Sequence, residues 1–232
     1  MQSGCKEKSY VTISPSLYSA DLLNIRQVLR SLEGFEHLHL DVDDGNFVRG
    51  ISFGMDVIEG VAECTDIPLD AHLEVLNPMD YVAPLARAGV ELICAHVEVL
   101  DFPSLFLSSV HRYGKKAGLA LNIKTPIAYI EPYADQLDQL ILVSCEADVD
   151  GLPFRRGVLK KLSEARLKLE EHTKIWVDGG VNKSNLRSVV DAGADGVVLG
   201  RAVFGSENPV DTYVQLLELG RGYEKERDSN AV

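Results

Sequence analysis

The sequence predicts an α/β fold, a single-domain (β/α)8 (TIM) barrel over residues 1–232. Three observations predict it. Eight short apolar runs recur along the chain, at residues 11–13, 38–42, 69–75, 92–97, 117–121, 140–143, 175–177 and 197–199. Segments with helical apolar spacing lie between them. The length, 232 residues, is what eight strand-plus-helix units occupy.

Each run is short and rich in aliphatic residues, as expected of parallel strands covered on both faces. After the first run, Leu22, Leu23, Ile25, Val28, Leu29 and Leu32 keep helical spacing and predict a helix over 21–32. Asn77-Pro78 opens another helix, which stops at Ala88-Gly89. Val158, Leu159, Leu162, Ala165, Leu167 and Leu169 mark a helix over 158–169. Ser184-Asn185 caps one that ends at Ala192-Gly193. Arg87-Ala88-Gly89-Val90-Glu91 and Asp191-Ala192-Gly193-Ala194-Asp195 look alike, a trace of a repeated helix-to-strand turn. The polar start, residues 1–8, and the charged tail, 220–232, are expected at the periphery, the tail frayed. An open doubly wound sheet is the competing architecture. It calls for a glycine-rich turn after the first strand, where this chain has Pro15-Ser16-Leu17-Tyr18.

With 23 basic and 35 acidic residues the net charge is −12, which disfavours nucleic acid and anionic membrane surfaces as partners. A small anionic ligand needs only a local cradle of donors. No apolar run approaches the ~20 residues of a membrane span, and the polar start carries no signal-peptide core, so a cytoplasmic location is expected. Cys5, Cys64, Cys94 and Cys145 form no metal or redox motif and are expected to be free thiols, Cys94 and Cys145 buried.

Polar residues interrupt the strands at one parity. In His37-Leu38-His39-Leu40-Asp41-Val42 the histidines and Asp41 share one face and the aliphatics the other. The split recurs in Asp70-Ala71-His72-Leu73-Glu74-Val75, in Cys94-Ala95-His96-Val97-Glu98 and at Asp178. The aliphatic face suits a helical shell, so the polar face points into the barrel. Burying several ionisable groups together costs several kcal/mol per unpaired charge, so they should be paired or bound to a cation. Two imidazoles with two carboxylates suit zinc, iron, manganese or cobalt.

From Ile13 to Phe204 the chain resembles the ribulose-phosphate 3-epimerase family. The resemblance is carried by Ser14-Pro15-Ser16-Leu17; His39-Leu40-Asp41-Val42-Asp43-Asp44-Gly45-Asn46-Phe47-Val48; Asp70-Ala71-His72-Leu73; Asn77-Pro78; His96-Val97-Glu98; Asn122 with Thr125-Pro126; Val177-Asp178-Gly179-Gly180-Val181; and Gly200-Arg201-Ala202-Val203-Phe204. It implies one divalent metal ion, zinc or iron first and manganese or cobalt next, held by His39, Asp41, His72 and Asp178. It implies Asp41 and Asp178 as catalytic acid and base, and 3-epimerisation of a small ketose phosphate through a metal-stabilised ene-diolate. Ser16, His72, Gly151, Gly179, Gly180, Gly200 and Arg201 are then expected at the substrate and its phosphate, and a homo-oligomer is expected.

The chain also departs from the family pattern. The loop after the sixth strand usually reads Met-Ser-Val-Asn-Pro-Gly-Phe-Gly-Gly-Gln; here it reads Val143-Ser144-Cys145-Glu146-Ala147-Asp148-Val149-Asp150-Gly151-Leu152. Asp43, Glu74 and Val143 stand where methionines usually line the metal, Asn46 replaces a histidine, and Arg201 replaces a serine. These changes imply a divergent subfamily whose substrate is ribulose 5-phosphate, xylulose 5-phosphate or a related pentulose or hexulose phosphate. The alternative is a non-catalytic sugar-phosphate sensor on the same fold. A decarboxylase of the orotidylate type is set aside, because Asp41-Val42-Asp43 lacks the lysine of Asp-x-Lys-x-x-Asp.

Overall fold

A computed structural model describes residues 10–32, 34–146 and 152–230, with side chains through Tyr223. Each of the eight apolar runs is a strand: β1 (Thr12–Pro15), β2 (Leu38–Asp43), β3 (Leu69–Glu74), β4 (Leu92–His96), β5 (Lys116–Leu121), β6 (Gln139–Val143), β7 (Lys174–Asp178) and β8 (Gly196–Leu199). They pair in parallel in the order β1-β8-β7-β6-β5-β4-β3-β2. A parallel bridge between Ser16 and His39 joins β1 to β2 and closes the barrel.

The shell holds α1 (Ile25–Ser31), α2 (Met55–Ala62), α3 (Met79–Ala88), α4 (Pro103–Arg112), α5 (Gly157–Lys168), α6 (Leu186–Asp191), α7 (Arg201–Phe204) and α8 (Pro209–Asn230). Gly89 ends α3 at φ 98°, the left-handed cap that Ala88-Gly89 predicts. Three segments differ from expectation. The helix expected over 21–32 begins as a 3-10 turn, because Asp21 accepts the Leu23 N–H at 3.2 Å and the Asn24 side-chain amide at 2.8 Å, and leaves Leu23 in solvent. Two 3-10 turns, Ile127–Tyr129 and Glu131–Gln136, connect β5 to β6. Pro126 and Pro132 there remove donors that an α-helix would use. The tail expected to fray from residue 220 is instead helical to Asn230. Arg221 holds it, pairing with Glu36 at 2.5 Å and lying over the Tyr10 ring.

Strand parity sorts the core as predicted. Leu38, Leu40, Val42, Ala71, Leu73, Ile93, Leu119, Leu142, Ile175 and Val197 face outward into one cluster with the helices. Each Leu, Ile or Val so buried contributes about 1.5–3 kcal/mol. Inside the barrel the two halves differ. Leu92, Cys94, Ala120, Ile141, Val143, Trp176 and Val198 form a small apolar plug. Ser14, His39, Asp70, His72 and His96, all fully buried, fill the β1–β4 side. Cys94 and Cys145 are buried free thiols, as expected, and Cys5 lies outside the described residues.

Candidate metal centre and active site

The β2–β3 register sets His39 beside Asp70, Asp41 beside His72 and Asp43 beside Glu74. All six side chains point inward, stacked in rungs toward the C-terminal mouth where barrel enzymes carry their sites. Across the barrel, Asp178 ends β7. One nitrogen or oxygen from each of His39, Asp41, His72 and Asp178 lies within 4.8 Å of the others. His39 Nε2 stands 3.1 Å from Asp41 Oδ1 and 4.0 Å from Asp178 Oδ2. His72 Nδ1 stands 3.7 Å from Asp41 Oδ1 and 3.4 Å from Asp178 Oδ2. Although buried, His72 Nδ1 has no hydrogen-bond partner. An N2O2 donor set with an orphaned ring nitrogen at its centre fits a divalent cation. Ligands about 2.0–2.2 Å from one ion stand roughly 3–3.5 Å apart.

Supporting groups fix these side chains. Asp70, fully buried, pairs with His39 Nδ1, with His37 Nδ1 at 2.8 Å and with the Ser14 hydroxyl at 3.0 Å. That contact holds the His39 N–H on Nδ1 and leaves Nε2 for a ligand. Ser16 donates its hydroxyl to Asp41 Oδ2. Gly179 donates its N–H to Asp178 Oδ1 at 2.6 Å, turning Oδ2 toward the histidines. Without a cation, burial pulls the His39 and His72 rings toward neutrality, but the carboxylates overcome it. Asp70 and Asp41 hold His39 well above the ordinary range, and Asp178 and Asp41 hold His72 at about 10. Burial pushes the Asp41 carboxyl up, yet His39 and His72 bring it well below the carboxylate range. Burial, then Glu74 and Asp41, raise Asp43 to about 8.

A cavity of about 890 Å³ opens above these rungs. Ser16, Asp41, Asp178, Gly179, Gly180, Gly200 and Arg201 line it, while His39 and His72 lie beneath, fully buried. Gly151, with Asp148 and Asp150, lies outside the described residues. Gly180 has φ +64°, and a Cβ there would meet the Phe154 backbone nitrogen at 2.8 Å, so only glycine keeps that wall. The Gly179 N–H, expected at a phosphate, is the one engaged with Asp178. Asn46 is not among the residues lining the cavity, and its side chain donates to the Asp44 carbonyl at 2.9 Å.

Sequence reasoning left three features unassigned. Asp70 has the right parity, but its partner is set by register. Arg49 and Arg156 join Arg201 at the cavity, yet they sit in loops that no periodicity places. The His96 ring, 3.0 Å from His72 through their Nε2 atoms and 3.1 Å from Glu98, was visible as a matching parity and in the family string His96-Val97-Glu98, with no role attached to it.

Fold and site together define a (β/α)8-barrel protein with a candidate divalent-metal centre at its C-terminal mouth. Comparison with known proteins narrows this. Residues 12–204 match the description Ribulose-phosphate 3 epimerase family, and the chain belongs to that family. It is 35% identical over 204 residues to Ribulose-phosphate 3-epimerase of Bacillus subtilis, covering 85% of this chain and 94% of that one. It is 34% identical over 208 residues to Ribulose-5-phosphate-3-epimerase, chloroplastic, of Arabidopsis thaliana, covering 87% and 74%. The chain is thus homologous to carbohydrate epimerases, which are isomerases. Among solved structures, orotidine 5'-phosphate decarboxylase from Pyrococcus horikoshii superposes with a TM-score of 0.67 at 18% identity, covering 91% of this chain and all of that one. At that identity the likeness is one of fold. Among the described residues no helix is long and apolar enough to cross a membrane.

Proposed function

We propose that the protein is a metal-dependent 3-epimerase of a ketose phosphate, ribulose 5-phosphate/xylulose 5-phosphate or a related pentulose or hexulose phosphate. The observation that carries this is the pair Asp41 and Asp178. The two carboxylates come from opposite sides of the barrel and converge on one cavity floor, with the orphaned His72 nitrogen between them. Inverting a carbon beside a carbonyl requires a proton to leave one face and another to arrive on the opposite face. Asp41, reaching the cavity from β2, is assigned the base on one face. Asp178, oriented by its own chain neighbour, suits the acid on the other. His39, Asp41, His72 and Asp178 would hold the cation, which when bound supplies positive charge to the oxygens of the ene-diolate. Ser16 fixes the Asp41 carboxylate. Arg201, Arg156 and Arg49 give the cavity the positive charge that a phosphate group requires in an acidic protein.

The test is proton–deuterium exchange at C3, followed by NMR on a panel of pentulose and hexulose phosphates. The metal-loaded wild type should exchange the C3 proton of at least one member, and Asp178→Asn should lower that rate by at least ~10²-fold, the scale of one acid–base group. A wild type that binds metal yet exchanges no member of the panel overturns the proposal.

A further inference from the structure

We infer that the barrel holds a second divalent-cation site, one rung off the first, built from His72, Glu74 and His96 with Asp43 beside them. His72 Nε2 and His96 Nε2 are 3.0 Å apart, and His96 Nε2 is 3.5 Å from Glu74 Oε1. All three donors lie within 4.8 Å of one another. Donors about 2.0–2.2 Å from a common ion stand at such separations. The imidazoles are fully buried and Glu74 is 8% exposed.

A second observation points the same way. Asp43 is 9% exposed, its Oδ1 is buried without a hydrogen-bond partner, and the β2–β3 register sets it beside Glu74. Two carboxyl groups held together away from water need a proton or a cation between them. Charge favours the cation. Asp41, Asp43, Asp70, Glu74 and Asp178 lie on successive rungs of the barrel interior, and a single divalent ion offsets only part of their charge under a cavity proposed for an anionic substrate. Both Asp43 and Glu74 also line the cavity, which gives an ion its way in.

His72 then serves two ions, the first through Nδ1 and the second through Nε2. Its ring gives up both N–H positions, and the displaced proton leaves to solvent. The remaining ring nitrogen of His96, Nδ1, is already oriented by Glu98 Oε2 at 3.1 Å, the outer carboxylate that commonly accompanies a metal-bound histidine. The nitrogen and oxygen donors suit zinc, manganese, iron or cobalt. The site shares His72 with the first centre but does not depend on which sugar is turned over.

The experiment is metal counting on the full-length chain, stripped with chelator, reloaded with excess Mn2+ and desalted. Wild type should retain two ions per chain by mass spectrometry and show an exchange-coupled Mn2+ pair by electron paramagnetic resonance. Glu74→Met and His96→Gln should each retain one ion and give the spectrum of isolated Mn2+. One ion in the saturated wild type overturns the inference and leaves the first centre standing. Two ions persisting in both variants also overturn it, because the second ion then lies elsewhere. No bound ion in the wild type overturns both centres together. The wild-type count stands even if a variant fails to fold.

Discussion

At the scale of single residues, Asp70 shows how much of the site depends on a side chain that never reaches the cavity. It accepts from His37, His39 and Ser14 at once and is fully buried. Burial drives its carboxyl up, and His39 and His37 bring it well below the ordinary range, so it is a standing negative charge behind His39, the proposed metal ligand. Asp70→Asn keeps the volume but puts an amide donor or a weaker acceptor against His39 Nδ1. The ring then loses the tautomer that frees Nε2, and metal affinity should fall by about 10–100-fold. Competition against a chromogenic chelator measures this, and unchanged affinity would show that Asp70 does not orient the ligand. The gathering of His39, Asp41, His72 and Asp178 in one place was legible in the sequence, because inward parity and the family strings converge on them. Asp70 was not assigned, because its role rests on the pairing of β2 with β3, and a one-dimensional sequence does not state register. Arg49 and Arg156 were hidden for another reason: loop conformation carries no period.

Elements were legible where burial enforces a pattern and less so where local chemistry competes. All eight strands fall where the apolar runs lie, since the face that each strand turns to the helices is kept aliphatic. The first helix was misjudged at its start, where the Asp21 side chain captures the backbone before a helical turn forms. β7 and β8 show how tightly two elements can be fitted. A Cβ at Gly196 would meet the Trp176 indole at 2.5 Å, and the indole, 5% exposed, belongs to the apolar plug. Gly196→Ala should therefore destabilise by about 1–3 kcal/mol, the usual cost of overpacking, lowering Tm by roughly 2–4 °C for each kcal/mol in a chain of this size. Pairing it with Trp176→Phe should recover part of the loss. A Gly196→Ala protein that melts with the wild type would show that the indole moves aside freely.

The whole molecule is strongly acidic, yet it buries a cation in its wall. Lys161 on α5 is 9% exposed and donates to the Asn122 carbonyl at 2.6 Å, fastening the helix to the end of β5. Burial lowers its pKa to about 8, although Glu98 and Glu164 resist the shift. The unfolded chain therefore binds more protons at this position than the folded one between about pH 8 and the ordinary lysine value of about 10.4. By linkage its contribution to stability rises with pH across that window and is lost as pH falls through about 8. Lys161→Met should flatten this part of the Tm–pH curve, and an unaltered slope would assign it to other groups. The barrel's closure carries one more consequence. Every other neighbouring pair of strands is a ladder, whereas β1 and β2 are joined by one backbone bridge, Ser16 to His39, reinforced by the Ser16 hydroxyl on Asp41. The thinnest stave of the cask thus carries the candidate centre: on the proposed reading, an ion clasped by His39 and Asp41 would also rivet the hoop, putting catalysis and mechanical integrity in the same few atoms.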